Sequence, residues 1–163
     1  MIRSLEERDY DAVIEIVNEN WKSVYSGYVN PELLSDAGCR ERAQSLREDF
    51  VQQRLEEYVW EENGEVLALL SVGDTADSDR MGDFEIWRIY AASNAQGRGI
   101  GGRLLAFAER RAGEKAYRTI VIWAFKQNIR AIEFYRKHGF RVDREEKLGE
   151  PYFADGIRLL KEI

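Results

Sequence analysis

Residues 96–102 are the part of the sequence whose types and spacing point most directly to ligand chemistry. They read Gln-Gly-Arg-Gly-Ile-Gly-Gly, and an apolar pattern of helical spacing begins within them. A glycine in a helix costs up to about 1 kcal/mol relative to alanine, so four glycines in six positions imply a compensating use. Bare backbone amides at a helix start, together with the helix dipole, bind phosphate groups. The segment therefore predicts a pyrophosphate site.

This glycine segment fits two patterns that imply different cofactors. The pattern G-x-G-x-x-G belongs to dinucleotide-binding folds, where a strand runs straight into the first glycine and the next strand ends in a carboxylate. In this chain the preceding strand pattern ends near Ala92, with small and polar residues before Gly97, and the next apolar run ends in Trp-Ala-Phe-Lys at 123–126. No Lys-Ser or Lys-Thr follows the glycines, as a triphosphate loop requires. These departures argue against a dinucleotide oxidoreductase and favour the second pattern, Q-x-x-G-x-G.

Hydrophobic periodicity predicts the elements that hold this segment in place. Thr119–Trp123 is continuously apolar, as in a strand at the centre of a sheet, and Asn63-Gly64 predicts a hairpin turn. Asn128 and Gly139 are suited to begin and end a helix. The element order predicts one mixed α/β domain around a single sheet. The predicted strands are Ile2–Leu5, Tyr58–Trp60, Val66–Val72, Phe84–Ala92, Thr119–Trp123, Phe140–Lys147 and Gly156–Lys161, and the predicted helical segments are Tyr10–Trp21, Glu32–Glu56 (in part), Gly99–Ala112 and Asn128–His138.

The composition limits the classes of function. The chain of 163 residues is 44% hydrophobic, so we expect one domain, residues 1–163, with a substantial core. A net charge of -6 argues against nucleic acid partners, which bind basic surfaces. No apolar run approaches the roughly 18 residues of a membrane span, and the start lacks an apolar signal region, so we expect a soluble cytoplasmic protein. Cys39 and His138 are the only residues of their types, and no metal site is predicted.

A second motif follows the glycine segment. Residues 128–140 contain Asn-x-x-Ala-x-x-Phe-Tyr and end in Gly-Phe. In order and spacing, the two motifs resemble those of the GNAT superfamily, the acetyl-CoA-dependent N-acetyltransferases. The resemblance extends to Trp21, to residues 25–31 and to residues 152–156, so it covers nearly the whole chain. It implies a mixed α/β fold with a mostly antiparallel central sheet flanked by helices. Many members have Val and Pro before the glycines; this chain has Ala-Ala-Ser at 91–93, which removes no reactive group.

The resemblance implies that the glycine segment holds acetyl-CoA. Its backbone amides would bind the pyrophosphate, with the Arg98 cation at the rim. In the family, the strand before the glycines and the strand near residues 119–124 splay apart, and the end of the first one, at 89–91, pairs with the pantetheine arm. Asn128 would bond the arm from the other side. The implied cofactor-binding residues are Ile89, Tyr90, Ala91, Gln96, Gly97, Arg98, Gly99, Ile100, Gly101, Gly102, Asn128 and Tyr135.

The resemblance also implies two catalytic side chains. Glu85 lies eleven residues before the start of the glycine segment, the offset of the catalytic glutamate in histone-acetylating members, and would accept the ammonium proton directly or through water. Its alternatives are a surface carboxylate and a salt bridge with Arg88. Tyr135 matches the position that protonates the leaving thiolate, and its alternative is packing on the sheet. A backbone N–H near Tyr90 or Ala91 would stabilise the oxyanion.

The identity of the acceptor stays open at the level of the sequence. The resemblance implies a primary amine, either of a small molecule such as an amino acid, a polyamine or an aminoglycoside-like antibiotic, or of a peptide. A homodimer through the last strands is an expectation by analogy. The alternative function is a non-catalytic acyl-CoA-binding sensor, which would need neither Glu85 nor Tyr135. An acetyl-cysteine at Cys39 is disfavoured, because no histidine motif accompanies it. The candidate substrate residues are Trp21, Tyr25, Tyr28, Trp87 and Trp123.

Overall fold

A seven-stranded sheet forms the central layer of the computed structural model, which describes residues 1–163. The strands are β1 (Ile2–Ser4), β2 (Glu56–Glu62), β3 (Glu65–Asp74), β4 (Phe84–Ala91), β5 (Thr119–Phe125), β6 (Arg141–Leu148) and β7 (Ala154–Glu162), and the helices are α1 (Tyr10–Val24), α2 (Asp36–Gln52), α3 (Ile100–Glu114) and α4 (Ile129–Lys137). The strand order is β1-β2-β3-β4-β5-β7-β6, and every neighbouring pair is antiparallel except β4 and β5. The predicted mixed α/β class and element order are confirmed.

Helices cover both faces of this sheet, so its central strands are buried on two sides. In β3, Leu70 packs in the cluster that contains Leu104 of α3, whereas Leu69 packs with Val17 of α1 on the opposite face. This follows from the alternation of side chains along a strand. Complete burial of a leucine such as Leu104 stabilises the fold by about 1.5–3 kcal/mol. No helix combines the length and the apolar character needed to span a membrane.

Local sequence explains where three of the helices begin. The Asn128 side chain accepts a hydrogen bond from the Ala131 N–H at 3.3 Å, which confirms Asn128 as the predicted cap of α4. Ser35 caps α2 in the same way, through the Gly38 N–H at 3.1 Å. Gly99 precedes α3 with φ 78°, in the left-handed region that favours glycine.

Some predicted helix boundaries were wrong. The helix predicted to end at Trp21 continues to Val24. In the segment predicted as partly helical, residues 31–34 form a 3-10 turn, and α2 begins only after the capping residue Ser35. It ends at Gln52 because Gln53 adopts a left-handed conformation, with φ 50°, and Glu56 already belongs to β2. The extra turn of α1 places the residues after Trp21 over the end of β5, where Tyr25 packs against Phe125.

The pairing of β4 with β5 positions the functional site. The two strands pair in parallel only as far as Ile86 and Ile122, although β4 continues to Ala91 and β5 to Phe125. Beyond Ile86, β4 stays paired with β3, with a register shift at Trp87. The centre of the sheet therefore opens between two strands, as the resemblance implied.

Candidate active site

The opening between β4 and β5 continues into a cleft of about 380 Å³. Leu104 and Phe134 line it from the side of α3 and α4, whereas Asn20 and Tyr25 line it from the side of α1. Because these helices lie on opposite faces of the sheet, the cleft passes through the sheet. It can therefore hold two reactants that enter from different sides.

A second cavity, of about 620 Å³, lies between α1 and the β2–β3 hairpin. Glu15, Glu19 and Glu65 are among the residues that line it, and none of the glycines at the start of α3 does. Cavity volume alone therefore does not identify the site. The central cleft is the one that combines the glycines at the start of α3, a tyrosine and the end of β4.

Nearly all of the predicted cofactor residues come together in the central cleft. Arg98 is the exception, because it pairs with Glu62 at the end of β2 and does not line the cleft. Arg130, in the first turn of α4, does line it, and the sequence analysis missed this cation. The predicted residues that line the cleft are Ile89, Tyr90, Ala91, Gln96, Gly97, Gly99, Ile100, Gly101, Gly102, Asn128 and Tyr135.

The glycines at the start of α3 have two different structural uses. Gly97 and Gly99 have φ values of 74° and 78°, and a Cβ on either would meet no protein atom within 4 Å. A Cβ on Gly101 would lie 3.0 Å from Cζ of Phe134, so this glycine lets α3 approach α4 closely. The first two glycines therefore shape the turn that presents the free amides of α3, and the third serves helix packing.

Backbone direction along β4 distinguishes the amides that can face a ligand. The Ala92 N–H donates to Leu67 O at 2.9 Å, toward β3. Backbone N–H groups alternate in direction along a strand, so the Tyr90 N–H also points toward β3, whereas the Ile89 and Ala91 N–H groups point toward the cleft. Of the two amides named from the sequence, Ala91 is therefore the one that faces the cleft.

Glu85 is buried on the face of the sheet that carries α1. Its neighbours Phe84 and Ile86 both belong to the core cluster beneath α3, so the alternating side chain of Glu85 points the other way. Only 6% of its surface is exposed. It does not line the central cleft, and it lies just before the point at which β4 and β5 separate.

Burial raises the pKa of Glu85 to about 7. The Thr75 hydroxyl donates a hydrogen bond to Glu85 Oε2 at 2.6 Å and opposes this rise. Arg88 pairs with Asp49 and Glu57. Both alternatives named for Glu85, a surface carboxylate and a salt bridge with Arg88, are therefore wrong. A carboxyl group with this pKa exchanges protons near neutral pH, as a general base requires.

Tyr135 is held by packing and presents its hydroxyl to the central cleft. Its ring lies 5.5 Å from the Phe134 ring and 6.0 Å from the Phe140 ring, measured between centroids. The hydroxyl has no hydrogen-bond partner in the protein, and Tyr135 lines the cleft. Burial, with a smaller effect of Tyr90, raises the pKa of Tyr135 well above its usual value. The hydroxyl therefore stays protonated at neutral pH.

Three of the predicted substrate residues meet around Phe125 at the end of β5. Tyr25 and Tyr28 have ring centroids 4.9 Å and 6.0 Å from that of Phe125, and Trp21 lies 5.9 Å away. Tyr152, in the β6–β7 turn, packs on the same ring at 5.8 Å. We call these five residues the aromatic cluster. It lies beside the cleft, because Tyr25 also lines the cleft.

The other two predicted substrate residues lie apart from the aromatic cluster. Trp87 is 40% exposed, and its Nε1 donates to Asp74 O at 3.1 Å. The Nε1 of Trp123 donates to Asp77 Oδ2 at 3.0 Å. Phe125 could have been selected from the sequence, because it follows Trp123 by two residues and therefore shares its face of β5.

A cluster of one arginine and three aspartates, which the sequence analysis missed, fixes the loop between β3 and β4. Arg158 of β7 is buried and bonds Asp79 Oδ1 at 2.8 Å, Asp77 Oδ2 at 3.1 Å and Asp143 Oδ2 at 2.9 Å. This Arg158 cluster holds the loop that also carries Thr75. The surroundings of Glu85 therefore depend on residues from β6 and β7.

An antiparallel sheet that opens at one parallel pair, beside a glycine-rich helix start, is the arrangement that the resemblance to the GNAT superfamily implied. The comparison with known families agrees, since residues 11–140 match the acetyltransferase (GNAT) family. The match covers most of the chain. The chain therefore belongs to the GNAT family, the acetyl-CoA-dependent N-acetyltransferases.

Individual relatives support the same assignment. A spermidine N(1)-acetyltransferase of Thermoplasma acidophilum is 28% identical over 152 residues, which cover 87% of this chain and 88% of the relative. A solved ribosomal-protein-alanine N-acetyltransferase from Brucella melitensis superposes with a TM-score of 0.76 at 26% identity, over 100% of this chain and 99% of that one. A PaiA N-acetyltransferase of Thermoplasma acidophilum in complex with coenzyme A has the same fold, with a TM-score of 0.78 at 21% identity and coverage of 100% and 98%.

Proposed function

We propose that residues 1–163 act as one N-acetyltransferase domain, which transfers the acetyl group of acetyl-CoA to a primary amine of a small molecule or peptide. The amine attacks the thioester directly in a ternary complex. The observation that carries this proposal is the separation of β4 from β5 after Ile86 and Ile122, beside the free amides of α3. A through-sheet cleft suits a reaction in which cofactor and acceptor meet from opposite faces.

The start of α3 binds the pyrophosphate of acetyl-CoA through its free amides and the helix dipole. Arg130 supplies a positive charge at the rim, since it lines the cleft and has no carboxylate partner, whereas Arg98 is neutralised by Glu62. The pantetheine arm pairs with the open edge of β4. Asn128 uses its Oδ1 to cap α4, which leaves its amide nitrogen free to bond the arm.

Glu85 acts as the general base, from the acceptor side of the sheet. An alkylammonium with a pKa near 10 costs about 4 kcal/mol to deprotonate at pH 7, so a base that accepts this proton assists the reaction. With a pKa of about 7, Glu85 is half ionised at neutral pH. Because it is buried and does not line the cleft, it takes the proton through bound water.

The remaining steps use a backbone amide and Tyr135. The new N–C bond forms as the amine attacks the thioester carbon, and the Ile89 or Ala91 N–H stabilises the oxyanion. The C–S bond then breaks, and Tyr135 gives its proton to the departing thiolate of coenzyme A. The free hydroxyl of Tyr135, kept protonated by burial, supports this role.

The named relatives support two kinds of amine acceptor. The Thermoplasma acidophilum relative is named for spermidine, a small amine, and the Brucella melitensis structure for the alanine of a ribosomal protein. Both kinds present a primary amine at the end of an alkyl or peptide chain. The aromatic cluster beside the cleft supplies apolar surface for such a chain.

Calorimetric titration with acetyl-CoA, and with NAD in parallel, tests the cofactor. We expect one-to-one binding of acetyl-CoA and none of NAD, and the absence of acetyl-CoA binding would refute the proposal. Release of coenzyme A thiol with a panel of amines then tests transfer. Glu85→Gln and Tyr135→Phe should each lower turnover by about 10²- to 10⁴-fold while acetyl-CoA affinity is retained. A sensor would release no thiol with any amine.

A further inference from the structure

Arg42 of α2 places a guanidinium against the aromatic cluster. Its Cζ lies 4.1 Å from the centroid of the Trp21 ring. Trp21 in turn packs edge-on against Tyr25, at 4.8 Å, and Tyr25 lines the central cleft. The guanidinium therefore lies one ring away from the cleft, on the face of the sheet that carries α1 and Glu85.

No carboxylate of the protein neutralises Arg42. Nη1 donates to Asn18 Oδ1 at 2.7 Å and to Cys39 Sγ at 4.0 Å, Nη2 donates to Leu33 O, and Nε makes no hydrogen bond within the protein. Burial lowers the pKa of Arg42, and the neighbours that oppose this effect are Cys39, Tyr90 and Tyr25 rather than an acid. The other arginines that are largely shielded from water each pair with at least one carboxylate, namely Arg3, Arg80, Arg88, Arg111 and Arg158.

A cation that is half-buried without a counterion is unfavourable in the free protein. Removing a charge from water costs several kcal/mol unless an opposite charge and hydrogen bonds compensate. Neutral oxygens of Asn18 and Leu33 orient the guanidinium but leave its charge uncompensated. The arrangement is therefore suited to an anionic group that a ligand brings into the site.

A second polar group in the aromatic cluster also has no partner. The Tyr28 hydroxyl is shielded from water and makes no hydrogen bond. Burial raises the pKa of Tyr28 to about 12, so the hydroxyl is a donor at neutral pH. A buried donor without an acceptor costs about 1–3 kcal/mol. Arg42, on Trp21, and Tyr28, against Tyr25 and Phe125, are thus two donors without a charged or hydrogen-bonded counterpart at different rings of the aromatic cluster.

We propose that the acceptor carries a carboxylate as well as its primary amine, and that Arg42, assisted by Tyr28, binds this carboxylate. The aromatic cluster covers the carbon skeleton, and the amine points toward Glu85 and the thioester. An amino acid has this chemistry. A planar guanidinium is the side chain best matched to a carboxylate. This inference rests on the proposed acetyl transfer and specifies its acceptor.

The inference separates this chain from a polyamine acetyltransferase. Spermidine carries only positive charges at neutral pH, and an uncompensated guanidinium beside its binding surface would repel it. Similarity to a spermidine N(1)-acetyltransferase therefore does not extend to the acceptor.

Matched acceptors test the inference through the release of coenzyme A thiol. Each amino acid of a panel is compared with its own carboxamide, which keeps the amine and the side chain but removes the negative charge, and spermidine is added. A hydrogen-bonded charge pair contributes about 1.5–3 kcal/mol, so the wild type should prefer the best carboxylate over its amide by about 10- to 100-fold in kcat/KM. In Arg42→Gln this ratio should fall to near one, through a higher KM for the carboxylate.

Arg47→Gln is the matched control, because Arg47 also lies on α2 and stacks on a ring, that of Tyr10, outside the aromatic cluster. This variant should keep the wild-type preference. Arg42→Lys keeps the charge but loses the planar geometry, so its preference should be intermediate. Acetyl-CoA affinity and the melting temperature check that Arg42→Gln folds. A merely structural Arg42 would lower activity toward carboxylates and amides equally.

Two results would overturn this inference in different ways. Preference for amides or spermidine by the wild type, unchanged in Arg42→Gln, would refute the carboxylate-bearing acceptor while leaving the proposed acetyl transfer intact. Absence of thiol release with every amine, despite acetyl-CoA binding, would refute the proposed transfer and the acceptor class with it.

Discussion

Replacement of Thr75 by valine should move the pH dependence of catalysis in a predictable direction. The Thr75 hydroxyl lies 2.6 Å from Glu85 Oε2 and stabilises the ionised carboxylate, which keeps the pKa of Glu85 down at about 7 despite burial. Valine has nearly the same shape but cannot donate a hydrogen bond. The variant should therefore raise the pKa of Glu85 further without leaving a cavity.

The size of the shift follows from the energy of the lost hydrogen bond. A hydrogen bond to a charged group contributes about 1.5–3 kcal/mol, and 1.36 kcal/mol corresponds to about one pH unit. Glu85 must be ionised to accept a proton, so log kcat/KM should rise with a slope of one as pH increases toward about 7 in the wild type. In Thr75→Val, this rise should lie about one to two pH units higher, so kcat/KM should still be rising at the pH where the wild type has reached its plateau.

Measurement of kcat/KM from pH 5 to pH 9, with one acceptor and thiol detection, tests this reasoning. Thr75→Ser retains the hydroxyl and should keep the wild-type profile. Ser71→Ala is a sharper control, because Ser71 bonds Glu57, a second buried carboxyl group whose pKa burial raises to about 7. The profile should be unchanged in Ser71→Ala. A shift in Ser71→Ala but not in Thr75→Val would assign the titration to Glu57 and refute Glu85 as the base.

Three further variants test other parts of the site. Gly99→Ala places a side chain at φ 78°, which should cost about 1–2 kcal/mol of stability and weaken acetyl-CoA binding in calorimetry. Gly64→Ala, at φ 81° in a distant hairpin, is the control: it should lose similar stability and keep the acetyl-CoA affinity of the wild type. Tyr135→Phe should lower kcat about 10²-fold or more at unchanged acetyl-CoA affinity, and a kcat equal to that of the wild type would remove its role as the acid. Arg158→Met removes a buried cation from three partly exposed carboxylates and should lower the free energy of unfolding in urea denaturation, whereas an unchanged free energy of unfolding would show that the cluster is solvated.

Local sequence patterns predicted most of the residues that line the cleft around the start of α3. The glycine segment and Asn128 act through their own backbone, by turn geometry and capping, so their residue types are visible in the sequence. Periodicity also gave the element order, because each element buries one stripe or face. The end of α1 at Val24 depends on packing, and the end of α2 at Gln52 depends on the left-handed conformation of Gln53. Hydrophobic periodicity reports neither.

The acceptor half depends on contacts between residues far apart in the chain. Thr75, just after the end of β3, meets Glu85 of β4, and Arg42 meets Trp21 because α2 packs on α1. Arg98 likewise pairs with Glu62 of a distant strand, whereas Arg130 lines the cleft. No spacing rule within one element could have selected these pairs.

The two buried carboxyl groups have similarly raised pKa values but different partners. Burial raises the pKa of Glu57 and Glu85 alike to about 7, and at Glu57 this rise is opposed by the Ser71 hydroxyl and by Arg88, which lies 3.4 Å away. Arg158 is the cation whose charge lowers the pKa of Glu85. Three aspartates surround Arg158, so the Arg158 cluster is net negative. Within it, Asp77 raises the pKa of Glu85 more than Arg158 lowers it. The cluster thus anchors the loop of Thr75 while leaving Glu85 free to take a proton near neutral pH.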